Sequence, residues 1–186
     1  MEVKPHMKIF PDTTRKLALD GVVAAAYVVL TVLFHFLSYG NIQFRISEAL
    51  CVLPFLLPCT SWGLFVGCFI SNFFNPEGFT AFDLVFGSLA TLLAALCTVA
   101  LGRRNTLKNQ ILACLMPVLF NAFIVGAVLN WAYQMRFVPD DALLSYALNI
   151  LSVGFGEAAV MFALGLPLLR WLPRQQFFQD QITKYQ

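Results

Sequence analysis

Long apolar runs separated by short polar breaks divide the chain into six segments. The runs predict membrane helices over residues 17–37, 46–58, 62–74, 82–101, 111–133 and 144–169. The breaks carry turn-forming and charged residues. Gly40, Asn41 and Gln43 lie in the first, Asn75-Pro76-Glu77-Gly78 is a strong breaker in the third, and Arg136, Pro139, Asp140 and Asp141 lie in the fifth. A basic linker over 102–110 holds Arg103, Arg104 and Lys108. The second and third runs are shorter than the roughly 20 residues a full crossing needs, and the second contains Pro54. Short or broken helices survive at membrane depth only where protein or a water-filled cavity surrounds them, so this pair points to a binding cavity.

Composition turns this pattern into a membrane assignment. Apolar residues make up 59% of the 186 and charged residues 12%, about half the roughly 25% of a soluble domain. Mean hydropathy is +0.74. With 19 Phe and 3 Trp, so few charges would not cover the apolar surface in water, whereas lipid solvates it directly. The predicted fold class is therefore all-α integral membrane, a bundle of six transmembrane helices. Residues 1–16 form a cytoplasmic arm, 17–170 the membrane domain and 171–186 a polar cytoplasmic tail. The first apolar run follows a polar stretch without a small-residue cleavage site and is read as retained. The length leaves no room for a nucleotide-binding domain of roughly 100 residues or more.

Charge placement sets the orientation. With six helices and a cytoplasmic N-terminus, Lys4, Lys8, Arg15, Lys16, Arg103, Arg104, Lys108, Arg170, Arg174 and Lys184 fall on the inner side, and only Arg45 and Arg136 fall outside. The positive-inside rule supports this count, with both termini cytoplasmic. A net charge of +2 is too small to imply a nucleic-acid partner. Cys51, Cys59, Cys68, Cys97 and Cys114 all lie in apolar runs without a C-x-x-C pair, and His6 and His35 are the only histidines, so no metal site is expected.

Ionisable residues inside a bilayer are costly, and each is a functional suspect. Arg45 and Glu48, three apart at the start of the second helix, have the spacing of a pair on one helix face. Asp83 opens the fourth helix, where a carboxylate suits the positive end. Glu157 sits near the middle of the sixth, beside Gly154 and Gly156, with Asn149 eight residues earlier on the same face. Asn72, Asn121, Asn130, Trp131 and Gln43 add polar groups toward the outer half. Together they suggest an outward-facing polar pocket, with interhelical hydrogen bonding the alternative for any single amide. Gly63, Gly67 and Ser71 recur four apart, as do Gly21 and Ala25, which suits close helix packing or docking of a partner. No phosphate loop, nucleophile elbow, zinc-protease or EF-hand motif is present, so no enzyme activity is expected and ATP use would need another chain.

The strings FRISEALCVLPF (44–55), GLFVGCFISNFF (63–74), DLVFGSLATLLAAL (83–96), PVLFNAFIVG (117–126) and GFGEAAVMFALGLPLL (154–169) resemble the QueT-type queuosine-precursor transporters. The resemblance covers most of the chain, with RISEAL its most specific part. It implies the substrate-binding S component of an energy-coupling factor transporter: a six-helix bundle in a bacterial plasma membrane that binds its solute from outside. Such a protein docks on a transmembrane T component carrying two cytoplasmic ATPases. It also implies a docking face on helix one, best matched by Gly21 and Ala25 with Ala18, although Asp20 departs from a purely apolar surface. The implied solute is a 7-deazaguanine base or queuine, and no cofactor is implied. Glu157 or Glu48 would accept the ring N–H and amino donors, and Asn72, Asn121 or Arg45 would donate to the carbonyl. Aromatic groups such as Trp131 would wall the ring, and a cationic aminomethyl substituent would suit Asp83 or Glu48. The competing reading is a stand-alone carrier coupled through protonation of Glu157.

Overall fold

The computed structural model describes residues 12–38, 44–74 and 81–185, and no strand occurs among them. Seven helices follow in order: α1 (Asp12–Leu33, continued by the turn His35–Ser38), α2 (Ile46–Leu56), α3 (Thr60–Phe74), α4 (Asp83–Gly102), α5 (Leu107–Trp131), α6 (Ala142–Arg174) and α7 (Gln176–Tyr185). Helices α1, α4, α5 and α6 are long and apolar enough to cross a membrane, whereas α2 and α3 are shorter.

The shortness of α2 is explained by where it lies. Cys51, Val52, Leu53, Phe55, Leu56 and Leu57 are all buried, and they form the main core with Tyr27, Leu64, Met161 and Leu169. A helix apolar on every side belongs inside the protein, where irregular backbone is tolerated. Its first seven residues, Ile46–Val52, wind as a 3-10 helix, and Pro54 sits in the first turn of the α-helical remainder. Proline has no N–H to give the carbonyl of Leu50, which the tighter turn hands to the N–H of Leu53 instead.

Proline in α5 is accommodated differently. The helix runs unbroken through Pro117, whose missing N–H leaves the carbonyl of Ala113 without its usual donor. The hydroxyl of Thr98, buried on α4, donates to that carbonyl at 3.5 Å. Two π-helical turns, Asp83–Gly87 at the start of α4 and Met161–Gly165 within α6, widen the backbone beside the polar interior.

Glycines set the closest helix approaches. A Cβ on Gly63 would lie 2.5 Å from the carbonyl oxygen of Asp20, and one on Gly67 would lie 2.9 Å from that of Ala24. The Gly63–Gly67–Ser71 stripe thus packs on α1. Asp20 turns to the same contact, its carboxylate accepting the N–H of Gly63 at 3.3 Å near the start of α3. Asp20 therefore faces α3, and the outer surface of α1 is left to exposed Ala18, Gly21, Val22 and Ala25.

The loop after α5 is fastened by side chains from both neighbouring helices. Asn130 donates to the carbonyl of Ala142 at 3.1 Å and Asn149 to that of Met135 at 3.0 Å, while Asp141 caps α6 by accepting from Leu143 and Leu144. At the opposite end Arg170 reaches Gln110, and Arg15 shares a cleft with Leu172 and Phe178. The basic segments around Arg15, Gln110 and Arg170 therefore gather at one end of the bundle. Residues 176–185, expected as a plain polar tail, form α7, which lays Phe178 and Ile182 against the core. The spacing Phe178…Ile182 is one helical turn, so an otherwise polar segment carries a short apolar stripe.

The polarity of the whole is inverted. Large apolar side chains such as Leu17, Phe36, Trp62, Phe82, Leu143 and Phe155 are exposed on the perimeter, while Arg45, Glu48, Asp83 and Glu157 are buried. Lipid accepts the first set, and the second must find partners inside.

Candidate functional site

The buried charges form a continuous polar seam through the bundle. Glu48, wholly buried on α2, receives the hydroxyl of Tyr27 from α1, the thiol of Cys51 at 2.9 Å and the hydroxyl of Thr91 from α4 at 3.3 Å. The Thr91 hydroxyl also lies 3.4 Å from the sulfur of Cys68 on α3. Arg45 lies 3.9 Å from that sulfur and donates to the amide oxygen of Asn72 at 2.8 Å. The amide nitrogen of Asn72 in turn donates to the carbonyl of Asp83 at 3.2 Å. Tyr133, after α5, reaches the Asp83 carboxylate at 3.5 Å. Thr31 adds a tie between α1 and α2 through Ser47 at 2.7 Å.

Arg45, the residue just before the 3-10 turn, and Glu48 lie within electrostatic reach of each other, but their hydrogen bonds run to different neighbours. Glu48 is met by neutral donors, and Arg45 turns to α3.

Glu157 joins the seam from α6. Asn121 on α5 donates to its Oε1 at 3.0 Å, and Glu157 lies within electrostatic reach of both Glu48 and Arg45. The Asn121 amide oxygen is buried and has no hydrogen-bond partner, and the same is true of Asn130 Oδ1 and Asn149 Oδ1. Buried polar atoms are nearly always satisfied, so these oxygens stand out, and that of Asn121 lies beside a buried carboxylate.

Local sequence explains why these side chains fit. A Cβ on Gly87 would lie 3.1 Å from Asp83 Oδ1 and 3.2 Å from Asn72 Nδ2, so glycine leaves room at the π-turn where the two meet. On α6, Gly154 and Gly156 precede Glu157 by three residues and one, and Gly126 lets α5 come close to Asn149 and Ile150.

Of the residues singled out from the sequence, Glu48, Glu157, Asp83, Asn72, Asn121 and Arg45 all enter the seam. Asn149 does not share it; its amide holds the loop at Met135, about two turns from Glu157. Trp131 is half-exposed and packs its ring on Tyr146 at 4.7 Å. It lines a separate apolar cleft of about 530 Å³ with Phe82, Phe86 and Phe123. Gln43 lies outside the described residues. The seam also recruits Tyr27, Thr91, Cys51, Cys68 and Tyr133, which the sequence reading passed over. Tyr27 and Thr31 carried a signal: they continue the face of Asp20 and Ala24 at helical spacing within an otherwise apolar run. Among the described residues, no group of three His, Cys, Asp or Glu side chains is placed to hold a metal ion.

These features define a multi-pass helical membrane protein with an apolar perimeter and a buried polar interior. The comparisons agree with that class. A sequence model of the QueT transporter family matches residues 17–174. A "Queuosine precursor transporter QueT" of Lactococcus lactis subsp. cremoris (strain MG1363) is 42% identical over 151 residues, covering 76% of this chain and 83% of that one. No solved structure matches. The chain belongs to the QueT transporter family.

Proposed function

We propose that this chain is the substrate-binding S component of an energy-coupling factor importer, and that its solute is a queuosine precursor of the 7-deazaguanine type. In this reading six helices cross a bacterial plasma membrane, with α2 and α3 as the short pair and both termini cytoplasmic. The placing of Arg15, Gln110 and Arg170 at one end of the bundle supports that orientation.

The observation that carries the solute reading is the Asn121–Glu157 pair. A carboxylate and an orphan amide oxygen side by side form an acceptor edge. The ring N–H and amino group of a guanine-like base form the matching donor edge. Burial makes this discriminating, because a base lacking those donors would leave the acceptors unsatisfied. Asn72 and Arg45, on the far side of the seam, would supply donors to the carbonyl of the base.

The chain holds no nucleotide-binding motif, so ATP-driven uptake needs partners: a transmembrane T component and two cytoplasmic ATPases. Exposed Ala18, Gly21 and Ala25 give α1 a shallow outer face on which a partner helix could pack closely.

Two measurements test the proposal. Glu157→Gln is expected to weaken binding of 7-deazaguanine by about tenfold or more in the purified protein; unchanged affinity removes Glu157 from the site. Co-expression with the T component and ATPases is expected to give a complex that co-elutes. Uptake that persists without ATPase activity and without such a complex would favour a stand-alone proton-coupled carrier.

A further inference from the structure

Apart from the seam, the bundle carries a second hollow. A cleft of about 590 Å³ lies between α1 and α6, with exposed Val22 on its rim. Its origin is the way the helices pair. α1 packs chiefly on α3 and α6 on α5, and α2 lies between α1 and α6 and touches both. Leu50, Leu53 and Leu57 of α2 form the floor of the cleft. Glu48 and Cys51 of the same helix meet each other in the seam instead. The two hollows thus draw on different side chains of α2.

The chemistry changes along the cleft. On α1 the lining runs from Arg15 through Ala18 and Val22 to Ala26, about 16 Å along the helix axis. That is about the depth of one leaflet of a roughly 30 Å hydrocarbon core. Past Arg15 this wall is wholly apolar, and α6 faces it with Leu168 and Leu172. α7 adds Phe178 and Gln181. The hydroxyl of Thr60, also in the lining, is already given to the carbonyl of Leu57. Asp20, the next carboxylate along α1 from Arg15, is turned to the N–H of Gly63 on α3 and does not line the cleft. A guanidinium therefore heads an apolar trough one leaflet deep.

We propose that this cleft binds one anionic phospholipid from the leaflet at the basic end of the bundle. Its phosphate sits on Arg15 and Gln181, and one acyl chain lies along Val22 and Ala26 above Leu53. Walls from α1 and α6 and a floor from α2 enclose the chain on three sides, so it buries more apolar surface than a lipid on the convex perimeter. The phosphate gains charge-assisted hydrogen bonds from the guanidinium. Headgroup charge decides the preference. A zwitterionic lipid offers the same phosphate and chain, but its own cation competes with Arg15, whereas an anionic headgroup adds attraction to the basic end. Solute binding in the seam does not enter into this.

The test uses the full-length chain purified in a neutral detergent. It is titrated with phosphatidylglycerol and with phosphatidylcholine of matched acyl chains, and bound lipid is counted by native mass spectrometry. One phosphatidylglycerol per chain is expected, held about fivefold or more tightly than phosphatidylcholine. Arg15→Gln is expected to bring that ratio close to one. Val22→Trp, at an exposed position, is expected to fill the trough and weaken both lipids. Glycerol phosphate is expected not to displace the lipid. Equal binding of the two lipids by the wild-type chain overturns the proposal, as does a preference that survives in Arg15→Gln or lipid binding unchanged in Val22→Trp. Displacement by glycerol phosphate overturns it too, since the site would then read phosphate alone. If the wild-type chain retains no lipid, the cleft is left to a protein partner and the proposal falls. Should either variant fail to fold, the wild-type ratio of the two lipids still decides.

Discussion

Asn121 and Glu157 meet across α5 and α6 with the amide nitrogen 3.0 Å from the carboxylate, while the amide oxygen, equally buried, meets nothing. Half of one side chain is thus spent on holding Glu157 and half is left over. Asn130 and Asn149, which fasten the loop, also leave an amide oxygen unpartnered, so the orphan acceptor of Asn121 is set apart by its place beside Glu157. The split assigns Asn121 two roles that substitution separates. Asn121→Leu removes the donor to Glu157 and is expected to cost about 1–3 kcal/mol of stability, seen as a lower Tm in detergent. Asn121→Asp keeps an acceptor but sets a second carboxylate beside Glu157. It is expected to bind 7-deazaguanine more weakly than wild type and to tolerate a cationic base better than a neutral one. Equal losses for both bases would assign Asn121 to packing alone.

The Tyr27 hydroxyl on Glu48 gives a second prediction. Tyr27 is wholly buried in the main core, so its ring is a packing element whatever the hydroxyl does. Tyr27→Phe retains the ring and removes one of three donors to Glu48. Loss of a hydrogen bond to a buried charged group is expected to cost about 1.5–3 kcal/mol, read as a lower Tm. Thr91→Val, which removes the longer 3.3 Å bond, is expected to cost less. The reverse order would mean that Thr91 carries the carboxylate.

Much of this was legible in the linear pattern, and the limits have physical causes. The apolar runs located every long helix to within a few residues, because a membrane helix needs an unbroken apolar stretch. The intramembrane charges Arg45, Glu48 and Glu157 were legible for the complementary reason: in lipid a charge without a role is too costly to keep. Which donor meets which acceptor was not legible. Glu48 is satisfied by Tyr27 and Thr91, distant in sequence, and Arg45 bonds to Asn72 on another helix. Helix α7 escaped notice because its apolar stripe is short and its surroundings polar.

The glycines of α1 and α3 separate packing from docking. At Gly63 an added methyl would sit 2.5 Å from the Asp20 backbone, whereas at Gly21 nothing lies within 4 Å. Gly63→Ala is expected to force the helices apart and to cost about 1–3 kcal/mol, as overpacking does. Gly21→Ala is expected to leave stability within about 0.5 kcal/mol of wild type. Gly21→Trp is expected to keep solute binding by the isolated chain while abolishing co-elution with the T component and ATP-dependent uptake. Retained uptake in Gly21→Trp would move the docking surface off α1.

Thr98 and Pro117 supply the sharpest test of the fold, because their relation is conditional. Proline in a helix interior removes one donor, and the carbonyl one turn earlier, here that of Ala113, must find another or remain unsatisfied in an apolar surrounding. The Thr98 hydroxyl is placed to serve it from α4 at 3.5 Å, a length at which such a bond is weak but still preferable to none. Thr98→Val, nearly the same shape, is expected to lower stability by about 1–2 kcal/mol in the native background, and Thr98→Ser is expected to recover most of that loss. In a Pro117→Ala background residue 117 regains its N–H, the carbonyl of Ala113 receives its ordinary helical partner, and Thr98→Val is expected to become nearly neutral. A double-mutant cycle from thermal unfolding in detergent measures the difference. Equal costs of Thr98→Val in the two backgrounds would show that the hydroxyl serves no carbonyl and that proline in α5 is tolerated by some other means.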